Sequence, residues 1–139
     1  MEKTIFPAAL IEVTGVTPFD IKWTVASDTT TLPTAVIALK SESGVPSNII
    51  SYSISYYTLS GDPVPELRIE ETPMNFFVTA NTAVSVTLSP YTTRVVDFFS
   101  KTTANVSPLK VSILLTIKDV NGNIITREAY CQLYRPVSI

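Results

Sequence analysis

The sequence predicts an all-β protein that folds as an antiparallel β-sandwich of about eight or nine strands. Apolar and polar residues alternate over many short segments, which is the period-2 pattern of half-buried strands. Turn signals recur about every 8–12 residues, a spacing typical of sandwiches. The 139 residues include 10 Pro and only 4 Gly, which argues against both disorder and a helix bundle. A chain of this length is expected to form one domain, residues 1–139, with a two-layer core.

The N-terminal half is predicted to contain an extended arm, residues 1–8, followed by four strands. These strands cover residues 9–14, 19–26, 34–40 and 48–59. Trp23 lies in the middle of the second strand, where we expect it to fill the core between the sheets. The third strand is apolar on nearly both faces, which predicts a central position in its sheet. One apolar face of the fourth strand is expected to consist of Ile50, Tyr52, Ile54 and Tyr56.

The following segments predict three shorter strands, at residues 66–71, 75–80 and 82–88, with Pro73 between the first two. Residues 91–101 contain the one clear helical spacing, because Val95, Phe98 and Phe99 stand at i, i+3 and i+4. Their β-branched neighbours leave a strand as the alternative. At the C-terminus, residues 135–139 are predicted to form a second extended arm, since a proline limits further pairing.

The strongest hairpin signal lies at residues 109–134, where two alternating segments flank a Gly-containing turn. A two-residue turn would place Ile125 opposite a lysine and away from the apolar face. A three-residue loop, residues 120–122, pairs Ile117 with Ile125 and puts Gly122 in the left-handed conformation of a G1 bulge. A slip of one residue would turn the apolar set to water, so we predict the three-residue loop. The expected pairs are Ile117 with Ile125, Ile113 with Ala129, Val111 with Cys131 and Leu109 with Leu133.

Two segments resemble immunoglobulin-like domains. Residues 50–65, ISYSISYYTLSGDPVP, resemble a strand-and-turn pattern of some bacterial immunoglobulin-like domains. Residues 111–123 are similar to the last hairpin of those domains and of their LEA-2 and fibronectin type III relatives. The resemblance covers residues 34–134 and lacks the paired cysteines of antibody-type domains. It implies an immunoglobulin-like sandwich that serves as an extracytoplasmic interaction or spacer module, and it supplies no catalytic residues.

The composition argues against catalysis and against nucleic-acid binding. The chain contains no His, which is the commonest general base and the commonest transition-metal ligand. The net charge of −2 comes from mixed signs without a basic stripe. The densest group of carboxylates surrounds Arg68 and is expected to be a solvated strand face; it consists of Asp62, Glu66, Glu70 and Glu71. We therefore predict no catalytic residue and no cofactor, and the protein is expected not to be an enzyme.

No metal site is predicted either. Asp119, Asn121 and Asn123 have the spacing of a calcium-binding loop, but the following Gly and the distal Glu of an EF-hand are absent. Their expected role is therefore in the hairpin turn. The single cysteine, Cys131, cannot form an internal disulfide and is expected to be a buried structural thiol.

Candidate interaction residues fall into two groups. Tyr57 and Tyr130 are expected on exposed sheet faces, where they could serve a carbohydrate site or simply occupy the sheet surface. The other group comprises the apolar residues of the two arms, which are Ile5, Phe6, Val137 and Ile139. Such arms pack either against another subunit or strand edge, or back onto their own sandwich.

These observations favour a non-catalytic structural or protein-interaction module, such as a subunit or spacer of a cell-surface or virion assembly. Its partner would be another protein or a second copy, bound through edge strands and arms. A carbohydrate-binding accessory domain is the alternative. No apolar run approaches the roughly 18 residues needed to span a bilayer, so no membrane span is expected. The start lacks the apolar segment of a secretory signal, which leaves synthesis without export or a trimmed signal. The resemblance favours an extracytoplasmic or virion-associated location.

Overall fold

The computed structural model describes residues 8–22, 24–25, 34–90, 93–101, 108–135 and 137–138. Strands dominate these ranges, so the predicted all-β class is confirmed. The elements of the described ranges are β1 (Ile11–Thr17), β2 (Asp20–Ile21), β3 (Thr24–Val25), β4 (Ala35–Ser41), β5 (Ser47–Tyr57), a 3-10 turn (Pro65–Leu67), β6 (Ile69–Val78), β7 (Ala83–Leu88), α1 (Thr93–Lys101), β8 (Leu109–Asp119), β9 (Ile124–Leu133) and β10 (Val137–Ser138). The predictions for Ile5, Phe6, Trp23 and Ile139 fall outside the described residues.

The strands form three sheets. The largest has the order β2-β9-β8-β5-β6, the second has the order β1-β4-β7, and β10 pairs with β3 alone. The predicted central position of the strand at residues 34–40 is confirmed, because β4 has a neighbour on each side. Two short pairs, β2 with β9 and β10 with β3, run parallel. The prediction of a wholly antiparallel arrangement was therefore wrong at these two pairs, which the chain reaches by long connections rather than tight hairpins.

The β8–β9 hairpin has the predicted register. Ile117 lies opposite Ile125, and the pairs formed by Ile113, Val111 and Leu109 also match the prediction. Gly122 closes the turn at φ 87°, and its N–H donates to the Asp119 carbonyl at 3.1 Å. The Asp119 N–H in turn donates to the Asn123 carbonyl at 3.0 Å. The three-residue loop with a left-handed glycine is confirmed.

A single apolar core contains residues of both larger sheets. The alternating inward residues of β4 and β8 supply much of this core, which includes Ile37, Leu39, Ile113, Leu115 and Ile117. Helix α1 contributes Val95 and Phe99, both fully buried, so the helix is confirmed over the strand alternative for that segment. The buried Tyr56 hydroxyl donates to the carbonyl of Pro90, just before the helix. This hydrogen bond ties the end of β5 to the entry into α1.

A bulge in β5 corrects the predicted apolar face of that strand. Opposite β8 the register shifts between Ile49 and Ser51, so Ile49 faces Ile117 and is fully buried. Beyond the bulge Tyr52 and Ile54 face the core side as predicted. The extra residue reverses the phase on its N-terminal side, so that Ile50 is only half-buried and lines an open cavity on the opposite face.

The strand at residues 69–78 also differs from the prediction. It was expected to break at Pro73, but β6 runs continuously through that proline. β6 is the last strand of its sheet. An edge strand accommodates proline because the backbone on its outer side forms no hydrogen bonds with a neighbouring strand. The preceding residues form a 3-10 turn instead of the start of a strand, although Leu67 is buried as predicted.

The predicted long strand at residues 19–26 is replaced by the two-residue strands β2 and β3. A regular strand over these residues would place Phe19 and Ile21 on the same face as Trp23, which was expected to face the core. Ile21 is buried, but Phe19 is 51% exposed, so the regular alternation does not extend to Phe19. The Phe19 carbonyl instead accepts a hydrogen bond from the Gln132 N–H at 2.7 Å, which is part of the parallel pairing with β9. Alternation over a few residues cannot show that a segment pairs for only two of them.

We predict that Gly122→Val lowers the free energy of unfolding by about 1–2 kcal/mol, because a β-branched residue at positive φ is strained. Gly44→Val is the matched control, since a Cβ at either glycine meets open space but only Gly122 has a positive φ. Urea denaturation of both variants measures the difference. Equal stabilities for Gly122→Val and Gly44→Val would contradict the assigned turn.

Candidate functional site

The Asp119 carboxylate is the most densely bonded polar group of the hairpin turn. It is 4% exposed. Its Oδ1 accepts the backbone N–H groups of Asn121 and Asn123, both at 2.9 Å. Its Oδ2 accepts the Ala9 N–H at 3.0 Å and the Asn123 side-chain amide at 3.0 Å. We call this group of four contacts the Asp119 clasp.

The clasp explains the lowered pKa of Asp119 and agrees with its predicted role in the hairpin turn. Burial acts to raise the pKa of this carboxyl, but the hydrogen bonds from Asn123, Ala9 and Asn121 outweigh it and hold the pKa below its ordinary 3.8. Both oxygens are occupied by N–H donors, as the predicted turn role requires. Among the described residues, no group of three or more acidic or cysteine side chains is arranged to hold a metal ion.

Exposed apolar side chains gather on the outer face of the five-stranded sheet, near the β8–β9 turn. Phe77 is 59% exposed, Val120 64% and Ile124 58%. Phe77 and Val120 line a cavity of about 230 Å³ together with Ile50. We call these four residues the hairpin-end patch. Sequence alternation could not indicate it, because its members come from three separate segments that the register brings together.

The strand register shows how the hairpin-end patch is assembled. Phe77 on β6 pairs with Asn48, Asn48 pairs with Lys118, and Lys118 pairs with Ile124 on β9. The four side chains therefore form one row across the sheet, with apolar residues at both ends and polar ones between them. Val120 extends the patch beyond this row, held by a hydrogen bond from its N–H to the Pro46 carbonyl at 3.1 Å.

The two predicted surface aromatics line one cavity at the other end of the same sheet face. Tyr57 on β5 lies opposite Lys110, and Tyr130 on β9 lies opposite Ser112. These four residues surround a cavity of about 250 Å³ with Glu128, which we call the tyrosine cleft. The strands that carry the two rings are separated by β8, which places their backbones about 10 Å apart.

Polar contacts inside the tyrosine cleft hold Glu128 in place. The Tyr130 hydroxyl donates to the Glu128 carboxylate, and the Ser112 hydroxyl lies at 3.5 Å from the same carboxylate oxygen. The hydrogen bond to Glu128 is the main cause of a raised Tyr130 pKa, to which the nearby Tyr57 also contributes. Tyr130 is 57% exposed, as predicted, whereas Tyr57 is half-buried. The cleft thus offers two rings, a carboxylate and an ammonium group to solvent.

A third cavity, of about 380 Å³, lies between the 3-10 turn and helix α1. Its charged lining comes from Glu66 and from one side of the helix, where Arg94, Asp97 and Lys101 follow at helical spacing. The Arg94 guanidinium also donates to the Arg68 carbonyl at 3.2 Å, which fixes the helix to the strand entry. This cavity was not predicted from the sequence, although the i, i+3, i+7 spacing of its charges on α1 was a usable signal.

The single cysteine and the carboxylates around Arg68 make contacts that are typical of structural residues. Cys131 is buried as predicted, and burial raises the pKa of its thiol to about 12, so the thiol stays protonated at neutral pH. The Arg68 Nε lies 4.0 Å from the Glu70 Oε2. The Glu71 Oε1 accepts a hydrogen bond from the Ser51 hydroxyl at 2.8 Å. Glu66, Glu70 and Glu71 are exposed, in agreement with the predicted solvated face.

The predicted arm residues are only partly within the described ranges. Val137 and Ser138 pair in parallel with Thr24 and Val25, so the main chain of the C-terminal arm is engaged by the chain itself. This favours the fold-back alternative for that arm. The assignment of Ile5, Phe6 and Ile139 to an interaction surface stays a prediction. Among the described residues, no helix combines the length and apolar character needed to cross a membrane.

Comparison with known proteins gives a likeness of fold alone. No family model and no curated protein matches the sequence. Among solved structures, a Bordetella pertussis protein provisionally called ApaA superposes with a TM-score of 0.56 at 9% identity, covering 92% of this chain and 95% of that one. A structural-genomics target protein superposes with a TM-score of 0.55 at 9% identity, covering 96% of this chain and 91% of that one. An Archaeoglobus fulgidus protein superposes with a TM-score of 0.51 at 16% identity, covering 87% of this chain and 97% of that one. The chain therefore shares a fold across nearly its whole length with proteins of unrelated sequence.

The Asp119 clasp predicts an acid-sensitive fold. Because the folded-state pKa of Asp119 is lowered, its contribution to stability is complete above the unfolded-state pKa and is lost as pH falls through the folded-state value. Asp119→Asn is expected to lower the free energy of unfolding at pH 7 by about 2–3 kcal/mol, since a charged acceptor of several N–H groups is lost. It should also flatten the loss of stability below about pH 4.

Urea denaturation of the wild type and the variant from pH 7 to pH 2 measures both effects. Glu66→Gln is the control for net charge, because Glu66 is an exposed carboxylate in the 3-10 turn, outside the β8–β9 hairpin. An Asp119→Asn variant with the same acid profile as Glu66→Gln would contradict the assigned role of the clasp.

Proposed function

We propose that this protein is a non-catalytic structural or protein-interaction module, a subunit or spacer of a cell-surface or virion assembly. The observation that carries the proposal is the hairpin-end patch, which exposes three large apolar side chains on one sheet end. Exposed apolar residues that lie near one another, here Phe77 and Ile124 with polar Asn48 and Lys118 between them, are typical of protein interfaces, whereas isolated exposed apolar residues are ordinary. The partner is another protein or a second copy of this chain.

We further infer that the two larger sheets pack face to face as an immunoglobulin-like sandwich. Support comes from the inward residues of β4 and β8, which belong to different sheets and share one core. The 3-10 turn and α1 are additions beyond a plain sandwich, and both pack a buried residue into that core. A sandwich presents two rigid outer faces and several edges, which suits a spacer or an assembly subunit.

The hairpin-end patch combines an aromatic residue and aliphatic residues with polar neighbours. Phe77 supplies an aromatic anchor, Ile50 and Val120 flank it across the cavity, and Lys118 provides a polar neighbour in the same row. Aromatic residues that are surrounded by apolar contacts carry a large part of binding energy in protein interfaces. A partner that covers the patch would remove Phe77, Val120 and Ile124 from water at little ordering cost, since all three belong to a paired hairpin or sheet.

Replacement of Phe77 and Ile124 by Ser is expected to weaken self-association or partner binding by about tenfold or more, because the apolar anchors of the patch are lost. Light scattering on the 139-residue protein over a concentration series measures the effect on self-association. The matched control replaces Leu10 and Leu59 by Ser, two exposed apolar residues outside the patch. Equal behaviour of the two double variants would contradict the role of the patch.

The tyrosine cleft favours a second candidate, a carbohydrate-binding accessory domain. Tyr57 and Tyr130 supply two rings for the apolar face of a sugar, while Glu128 and Lys110 offer hydrogen-bond partners for its hydroxyls. In a glycan-array or calorimetric titration, Tyr130→Ala should abolish binding of an oligosaccharide and Phe19→Ala, which removes another exposed ring, should not. The absence of any bound glycan would exclude this candidate.

A further inference from the structure

The sheets of the described residues end in edges that are protected to different degrees. β6 closes the five-stranded sheet, and it carries Pro73 in its interior with Glu70 and Glu71 at one end. Proline and charge on an edge strand are two recognised barriers to pairing with another chain. β2, β3 and β10 are only two residues long, which itself limits pairing.

The edge at β1 is protected by a different device. A bulge between Val13 and Gly15 interrupts the register of this strand, and such bulges twist an edge away from new partners. The Arg127 side chain also reaches across from β9, and its Nε donates to the Ile11 carbonyl at 2.7 Å. One backbone acceptor of the β1 edge is therefore already occupied by a charged donor.

The edge at β7 has none of these protections. β7 lies at the end of the three-stranded sheet, and within the described ranges no strand pairs with its outer side. Its residues, Ala83–Leu88, include neither charge nor proline nor glycine, and its register with β4 is regular throughout. Its outward side chains are small and exposed; they are Ala83, Ser85 and Thr87. A neutral edge with a regular register is a template for strand addition.

We propose that β7 pairs antiparallel with β7 of a second copy of this chain, so that two three-stranded sheets join into one six-stranded sheet. The inference rests on the proposed function and names its partner and surface. It is distinct from the hairpin-end patch, which lies on the other large sheet.

The sequence of β7 is self-complementary in this arrangement. Among the registers that keep core-facing residues on the core side, two have the longest overlap. In one, Val84 meets Val86 and Ser85 meets itself, and in the other, Val86 meets itself and Ser85 meets Thr87. Neither register opposes like charges, which would destabilise an antiparallel pair. A two-fold pairing uses the β7 edge of both copies at once, so it closes at the dimer and leaves only the protected β1 edges at the ends of the joined sheet.

A second copy is favoured over an unrelated peptide because the two strands match by symmetry. The core-facing side of β7, with Val84, Val86 and Leu88, meets an identical row, while the outer side meets small hydroxyl and methyl groups. An unrelated peptide would need to supply the same alternation and the same lack of charge.

The test uses the 139-residue protein with Ser85 and Thr87 both replaced by Lys. Two exposed lysines in β7 place like charges opposite each other in either register, so the dimer dissociation constant should rise by about tenfold or more. The matched control places two lysines on the β1 edge, Thr14→Lys with Thr17→Lys, where the residues are also exposed. Sedimentation velocity from micromolar to millimolar concentration measures each constant, and circular dichroism verifies that each variant is folded.

Amide hydrogen exchange on the wild type provides a readout that needs no variant. Alternate amides between Ala83 and Leu88 should exchange more slowly as the dimer fraction rises, while the β6 amides should not change. A dimer that is insensitive to the β7 lysines, with unchanged β7 exchange, would overturn this inference and leave the proposed function standing. A protein that stays monomeric at every concentration would overturn the inference and the self-association branch of the proposed function together.

Discussion

The Asp119 carboxylate is the constraint on which the arrangement of the described elements most depends. It is a buried charge, and a buried charge is tolerated only when its oxygens are satisfied by hydrogen bonds. Two of its donors, the Asn121 and Asn123 amides, shape the turn between β8 and β9. A third, the Ala9 amide, belongs to the segment that enters β1 in the other large sheet. One side chain thus sets the hairpin turn and fastens the start of β1 to it.

A second hydrogen bond between the same two sheets also holds the start of β1 to the hairpin. Arg127 reaches from β9 to the Ile11 carbonyl of β1, two residues beyond Ala9. The start of β1 is therefore held to the hairpin at both Asp119 and Arg127. Because the edge of a strand is otherwise free to shift, this pair of contacts fixes the position of the three-stranded sheet against the hairpin and protects the β1 edge.

The register of the strand pairs determines which side chains form the two candidate surfaces. The bulged turn presents Val120 to solvent, and the same register sets Ile124 in a row with Phe77 two strands beyond the hairpin. At the far end of the sheet, it places Tyr130 across β8 from Tyr57. A slip by one residue would exchange inward and outward side chains and remove both surfaces at once. The hairpin-end patch and the tyrosine cleft therefore both depend on the β8–β9 pairing.

The sequence predicted those parts of the fold that local chemistry specifies. The β8–β9 register followed from the match of apolar residues across a turn that needs Gly122 at positive φ. Helix α1 followed from the spacing of Val95 and Phe99. Both signals lie within a single stretch of chain, where periodicity and turn chemistry agree.

The errors arose where pairing with distant strands decided the outcome. Ile50 left the predicted face because β5 contains a bulge, which alternation alone does not reveal. Pro73 failed to end β6 because the strand is at an edge, and edge position is a property of the sheet order. Phe19 is exposed because β2 pairs for only two residues.

The candidate sites likewise depend partly on local sequence and partly on pairing between distant strands. Tyr57 and Tyr130 were recognisable as surface aromatics, but their common cleft depends on two strand pairings. The hairpin-end patch combines residues that are far apart in the chain, so no sequence window contains it. The unprotected state of β7 also became apparent only by comparison with β1 and β6, once the sheet order was known.

The most direct test of the central claim is amide hydrogen exchange by NMR at neutral pH on the wild type and on Asp119→Asn. The amides of Ala9, Asn121 and Asn123 all donate to the same carboxylate. If that carboxylate holds the start of β1 to the hairpin, all three should be strongly protected in the wild type and should lose protection together in the variant. An Ala9 amide that exchanges at the rate of an unstructured chain in the wild type would contradict the account.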